Sequence, residues 1–145
     1  MPLLLIVIAA AIGCASAVQG ATNGLLATRV GLATAVAINA LVVFAVAGVV
    51  WLASPKPAAV GGSPWYLYVG GLYGLSIIAG AAFCYPRLGA GPTTALMIAA
   101  QLGTALALDH LGIPGGKVEV TPARLAGAAL LAAGALLVLW PRIAR

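Results

Sequence analysis

The sequence predicts an all-α integral membrane protein with five transmembrane helices, and three observations lead there. Its 145 residues are 63% hydrophobic and only 6% charged, where a soluble domain carries roughly a quarter charged residues. Its mean hydropathy is +1.16. The apolar residues also form continuous runs, without the in-out alternation of barrel strands. A chain so poor in charge cannot cover its surface with groups that water accepts, so its solvent is lipid. There the backbone must satisfy its own hydrogen bonds, and helices do so span by span.

Breakers divide the chain into five spans of one transmembrane domain over residues 1–145. The first is expected over 3–26, as a short apolar stretch to Val18 completed by a more polar end through Gln19, Asn23 and Leu26. Ala15-Ser16-Ala17 and Cys14 resemble processing sites. No Lys or Arg precedes the apolar run, however, as a secretory signal requires, and a retained helix is expected. The second span is expected over 32–52, stopped by Ser54-Pro55-Lys56-Pro57. The third follows Gly61-Gly62-Ser63-Pro64, covers 65–84 and ends before Pro86-Arg87. The fourth covers 92–111, opening on Pro92, since proline suits a first helical turn. The fifth follows Thr121 over 122–140 and is closed by Pro141. Each approaches the ~20 residues needed to cross a ~30 Å hydrocarbon core. Trp51, Trp65 and Trp140 fall at the ends of these spans, with Tyr66, Tyr68 and Tyr85, as an interfacial aromatic belt does.

The net charge of +5 does not indicate nucleic acid. Arg29, Lys56, Arg87, Lys117, Arg124, Arg142 and Arg145 stand apart, whereas phosphate binding needs a basic patch. Five crossings place Arg29, Arg87, Arg142 and Arg145 on one side and Lys56, Lys117 and Arg124 on the other. Lys/Arg asymmetry sets orientation, and four against three is almost none. Insertion in both orientations is therefore expected; a single orientation, fixed by the C-terminal arginines or by a partner, is the alternative. Cys14 and Cys84 lie inside spans and read as small core residues.

Helix association in lipid relies on close packing and interhelical hydrogen bonds. Small residues at four-residue spacing, Gly13, Ala17, Gly20 and Gly24 in the first helix above all, suit a tight bundle. Polar residues inside spans are costly and therefore informative. Gln101 lies near the middle of the fourth helix, and Thr94, Met97 and Thr104 share its face by helical spacing. That stripe points into the bundle or a cavity, unless it serves only as interhelical glue. Asn39 in the second helix, Gln19 with Ser16, Gly20 and Asn23 in the first, and Tyr73 in the third complete the candidates for a substrate cavity. Asn23 reads more simply as satisfying a helix end. Asp109 sits at a helix C-terminus, against the negative end of the dipole. Arg124, on the same side, is its expected structural partner, with His110 nearby. Glu119 reads as a solvated loop residue. No catalytic triad, metal-ligand cluster or phosphate loop is present, and neither a metal nor a cofactor is expected.

Several stretches together resemble the drug/metabolite transporter superfamily, in its short five-helix YdcZ-like branch of the bacterial inner membrane. They are Gln19-Gly20-Ala21-Thr22-Asn23, Trp65 with Gly70-Gly71 and Gly74, Pro86-Arg87-Leu88-Gly89-Ala90, Gln101, and Asp109-His110-Leu111-Gly112, followed by Arg124 and Gly127. The resemblance runs in order along essentially the whole chain, and the stretch from Pro86 to Gly112 is its most specific part. It implies a half-transporter, one unit of an inverted-repeat architecture with substrate near the midplane. Such a unit works by alternating access as an antiparallel homodimer, or as a heterodimer with a paralogue. Small multidrug-resistance relatives carry a first-helix glutamate for proton-coupled cation export. This sequence has Cys14, Ser16 and Gln19 in that region, which favours a small neutral or weakly polar metabolite. A non-transporting membrane scaffold or accessory subunit, and a membrane-embedded enzyme using Asp109 and His110, are the rival readings.

Overall fold

The computed structural model describes residues 2–55, 64–113 and 115–143, with the side chains of Pro2, Arg142 and Ile143 left out. Lys56, Pro57, Gly61, Gly62, Ser63 and Arg145 therefore lie outside the described residues. Five helices there are long and apolar enough to cross a membrane. The chain divides into two compact units, Met1–Arg87 and Leu88–Arg145.

In the first unit, α1 (Pro2–Val30) and α2 (Leu32–Ala53) form a helical hairpin, followed by a 3-10 turn (Trp65–Val69) that leads into α3 (Gly70–Leu88). The second unit packs α4 (Ala90–Leu111) against α5 (Pro122–Ile143). The expected first span is thus one unbroken helix, polar end included. Its two threonine hydroxyls are satisfied locally: Thr22 Oγ1 donates to the carbonyls of Val18 and Gln19, and Thr28 Oγ1 to that of Leu25. Ser76 and Thr104 donate to Leu72 and Ala100 in the same way. In a medium with no hydrogen bonds to offer, such back-bonding lets a hydroxyl sit within a helix.

Two glycines interrupt the chain between successive helices. Gly31 (φ 86, ψ 153) and Gly89 (φ 90, ψ 160) are the residues that precede α2 and α4. Both occupy a region that is essentially glycine-only. In each case the glycine carbonyl then accepts the N–H four residues on, from Ala35 at 3.0 Å and Thr93 at 3.3 Å. We expect Gly31→Ala to destabilise the protein by about 1–3 kcal/mol, the cost of holding an alanine in that conformation. Gly48→Ala, where a Cβ meets nothing within 4 Å, should be neutral or gain up to ~1 kcal/mol in helix propensity. Thermal unfolding of the two variants in detergent would check the contrast.

Two helices run past the prolines expected to stop them. α3 continues through Pro86 to Leu88 and α5 through Pro141 to Ile143. A proline in a last turn removes one helical hydrogen bond without interrupting a longer ladder. At the end of α3, Arg87 Nη1 donates to the carbonyl of Phe83 at 2.6 Å, and its guanidinium carbon lies 3.6 Å from the Phe83 ring centroid.

The buried residues are small. Among the described residues the buried hydrophobic ones are Ala35, Ala81, Ala82 and Tyr85 in the first unit and Ala135 in the second, while large leucines, valines and tryptophans are exposed along the helices. This suits lipid, where close backbone approach at small residues holds helices together and large apolar groups meet the acyl chains. Tyr85, placed by the sequence in the interfacial belt, is 6% exposed. It fills the space left by Gly20, where an added Cβ would overlap its ring, and by Gly24, where one would lie 3.0 Å from its Cβ and 3.1 Å from Pro86 Cδ. Of the small-residue stripe expected on α1, these two positions make the close approach; Gly13 faces open space. Trp51, Trp65 and Trp140 are exposed at helix ends.

Candidate functional site

Asn23 and Asn39 stand sixteen residues apart, centred on Gly31. Eight residues at 1.5 Å put both about 12 Å from the turn, at one depth. Asn39 Nδ2 donates to Asn23 Oδ1 at 3.1 Å. Asn23 is 8% exposed, and Asn39 Oδ1 is buried without a hydrogen-bond partner among the described residues. The sequence offers Asn39 as a cavity residue and Asn23 as one that satisfies a helix end; the hairpin brings the two into contact. Their equal spacing from a glycine turn was the signal that could have paired them.

On α4 the stripe of Thr94, Met97, Gln101 and Thr104 lies within one continuous helix, so its members share a face. Thr94 and Met97 are half-buried, whereas Gln101 and Thr104 are exposed. The Thr104 hydroxyl is occupied by its own helix. Gln101 is eleven residues from Ala90 and ten from Leu111, about 15 Å from either end at 1.5 Å per residue. Its amide thus stands exposed near the middle of an apolar span. Thr93 escaped the sequence reading. It is 4% exposed, and its Oγ1 has no hydrogen-bond partner among the described residues. It stands four residues after Gly89, whose carbonyl accepts its N–H, as Ala35 stands after Gly31. Gln19 is exposed on α1, beside the buried Gly20. Tyr73 is 69% exposed near the start of α3. No hydrogen bond among the described residues ties either to the asparagine pair.

In the second unit Arg124 Nη1 lies 3.1 Å from Asp109 Oδ2, linking the end of α4 to the start of α5. The guanidinium offsets the unfavourable place of a carboxylate at a helix C-terminus. With the two side chains 44% and 37% exposed, solvent screening limits the pair to at most about 1 kcal/mol. The backbone there is also fixed. Gly112 takes the left-handed conformation (φ 83), and Ile113 N–H donates to Leu108 O at 3.0 Å. The Asp109 carbonyl receives the N–H groups of Gly112 and Val118. Asp109 is engaged by Arg124, and no hydrogen bond among the described residues joins it to His110.

The geometry is that of a multi-pass membrane protein whose polar groups cluster at one helix hairpin, one mid-span amide and one membrane face. A family model described as "Putative inner membrane exporter, YdcZ" matches residues 4–137. No curated protein and no solved structure matches the chain. The family match spans all five helices and far more than half of the sequence, and the chain belongs to this family of inner-membrane exporters.

Proposed function

We propose that this chain is half of a transporter. Its two units act together as one five-helix domain that pairs with an inverted second copy, or with a paralogue, and exports a small neutral or weakly polar metabolite by alternating access. The observation that carries this reading is the Gln101 amide, exposed about 15 Å from either end of α4 at 1.5 Å per residue. Facing lipid, such a group would lose its hydrogen bonds to water at a cost of several kcal/mol. It therefore faces a partner subunit or a water-filled cavity. The four-to-three division of Lys and Arg supports the inverted pairing, because neither orientation is strongly favoured. With no acid before Asp109, the first three helices offer no carboxylate for a cationic substrate. The side chains of Asn39, Gln19, Tyr73, Thr94 and Thr104 are the remaining candidates for the cavity wall.

A scaffold would use Gln101 only as glue in a dry interface, and chemical access separates the two readings. With Cys14 and Cys84 replaced by serine, Gln101→Cys should react with a water-soluble maleimide in native membranes. Leu130→Cys, on an exposed apolar face, should not. An unreactive Gln101→Cys would count against a wet cavity.

A further inference from the structure

We infer that the groove between α4 and α5 is a binding site for a phospholipid with a zwitterionic headgroup. The groove has a volume of about 820 Å³, within the ~300–1,000 Å³ of ordinary small-molecule sites. Apolar Leu106, Ala107, Leu125 and Ala128 line it, and the loop that closes one end of it, its rim, brings Lys117 and Glu119, with His110 beside them in the lining. The apolar lining suits an acyl chain, and the charged rim selects the headgroup.

The charges nearby sort themselves. Asp109 and Arg124 neutralise each other, which leaves Lys117 and Glu119, both exposed and without an ion-pair partner among the described residues. One cation and one anion match a headgroup with a phosphate and an ammonium. A purely anionic headgroup would meet Glu119 as a like charge. The rim is held in place as well: Val118 N–H donates to Asp109 O at 3.0 Å, and the Lys117 stem lies against Gly112, its Cγ 3.1 Å from where a Cβ there would sit. The backbone that carries the two charges is thus ordered before a ligand binds.

Native mass spectrometry of the full chain, released from detergent with added phosphatidylethanolamine or phosphatidylglycerol, tests this. The expected result is preferential retention of phosphatidylethanolamine, by about fivefold if one exposed ion pair of ~1 kcal/mol decides it. Glu119→Gln should erase that preference, and Lys117→Ala should weaken retention of both lipids. Both changes are on the exposed surface and should leave the fold intact. Ala128→Trp should fill the groove and remove the bound lipid without changing the oligomeric state read in the same spectra. Equal retention of both lipids by the unaltered chain would overturn the proposal. So would an Ala128→Trp variant that dissociates a dimer and keeps its lipid, because a second copy would then occupy the groove.

Discussion

Gln101→Ala should cut transport by about 5- to 100-fold while leaving stability and membrane insertion unchanged. The reasoning combines position with exposure. The side chain is exposed on α4, and substitutions away from buried contacts stay within about ±0.5 kcal/mol. Its role therefore appears only once the cavity forms around a substrate. A polar group left unpaired there costs about 1–3 kcal/mol, and each 1.4 kcal/mol is about a factor of ten. The substrate can be found in the same experiment. Compounds enriched in the medium of cells expressing the unaltered chain should fall toward the empty-vector level with Gln101→Ala. Undiminished export by a correctly inserted variant would remove Gln101 from the mechanism.

Breaking the asparagine pair one side at a time should destabilise the first unit, and removing both sides together should restore most of the loss. Asn39→Leu strands Asn23 Oδ1, which accepts from Asn39 Nδ2. A buried acceptor without its donor costs about 1–3 kcal/mol. Asn23→Leu strands Asn39, whose Oδ1 is already unpartnered among the described residues. With leucine at both positions no polar group is left unpaired, and replacements of similar shape can be nearly neutral. Near-neutrality of the double variant puts the coupling close to the sum of the two single losses, at least about 2 kcal/mol. Unfolding in mixed micelles measures it. Additive losses would show that the 3.1 Å contact contributes nothing.

The spans were legible because hydropathy depends on composition over about twenty residues, and lipid imposes helices whatever the detail. Proline was the less dependable guide. Pro86 and Pro141 looked like stops, yet each sits inside a last turn, where one missing N–H is tolerated. Tyr85 shows the limit of reading aromatics by position. Its sequence place suited an interfacial belt, but the absence of side chains at Gly20 and Gly24 draws it inward. The Asn23–Asn39 contact depends on where the hairpin turns, and thus on the positive φ of Gly31. Hydropathy carries no such information. Thr93 was hidden too, since hydropathy does not separate a buried threonine from an exposed one.

The half-transporter reading stands or falls on orientation. A chain whose cations divide four to three under five crossings, and whose mid-span amide calls for a partner subunit or a wet cavity, is expected to insert both ways and to pair with its inverse. C-terminal fusions to one reporter active only in the cytoplasm and one active only outside it measure this directly, at native expression level. The account predicts substantial signal from both fusions, in comparable amounts. Signal from one fusion alone, in a cell with no oppositely oriented paralogue, would contradict it.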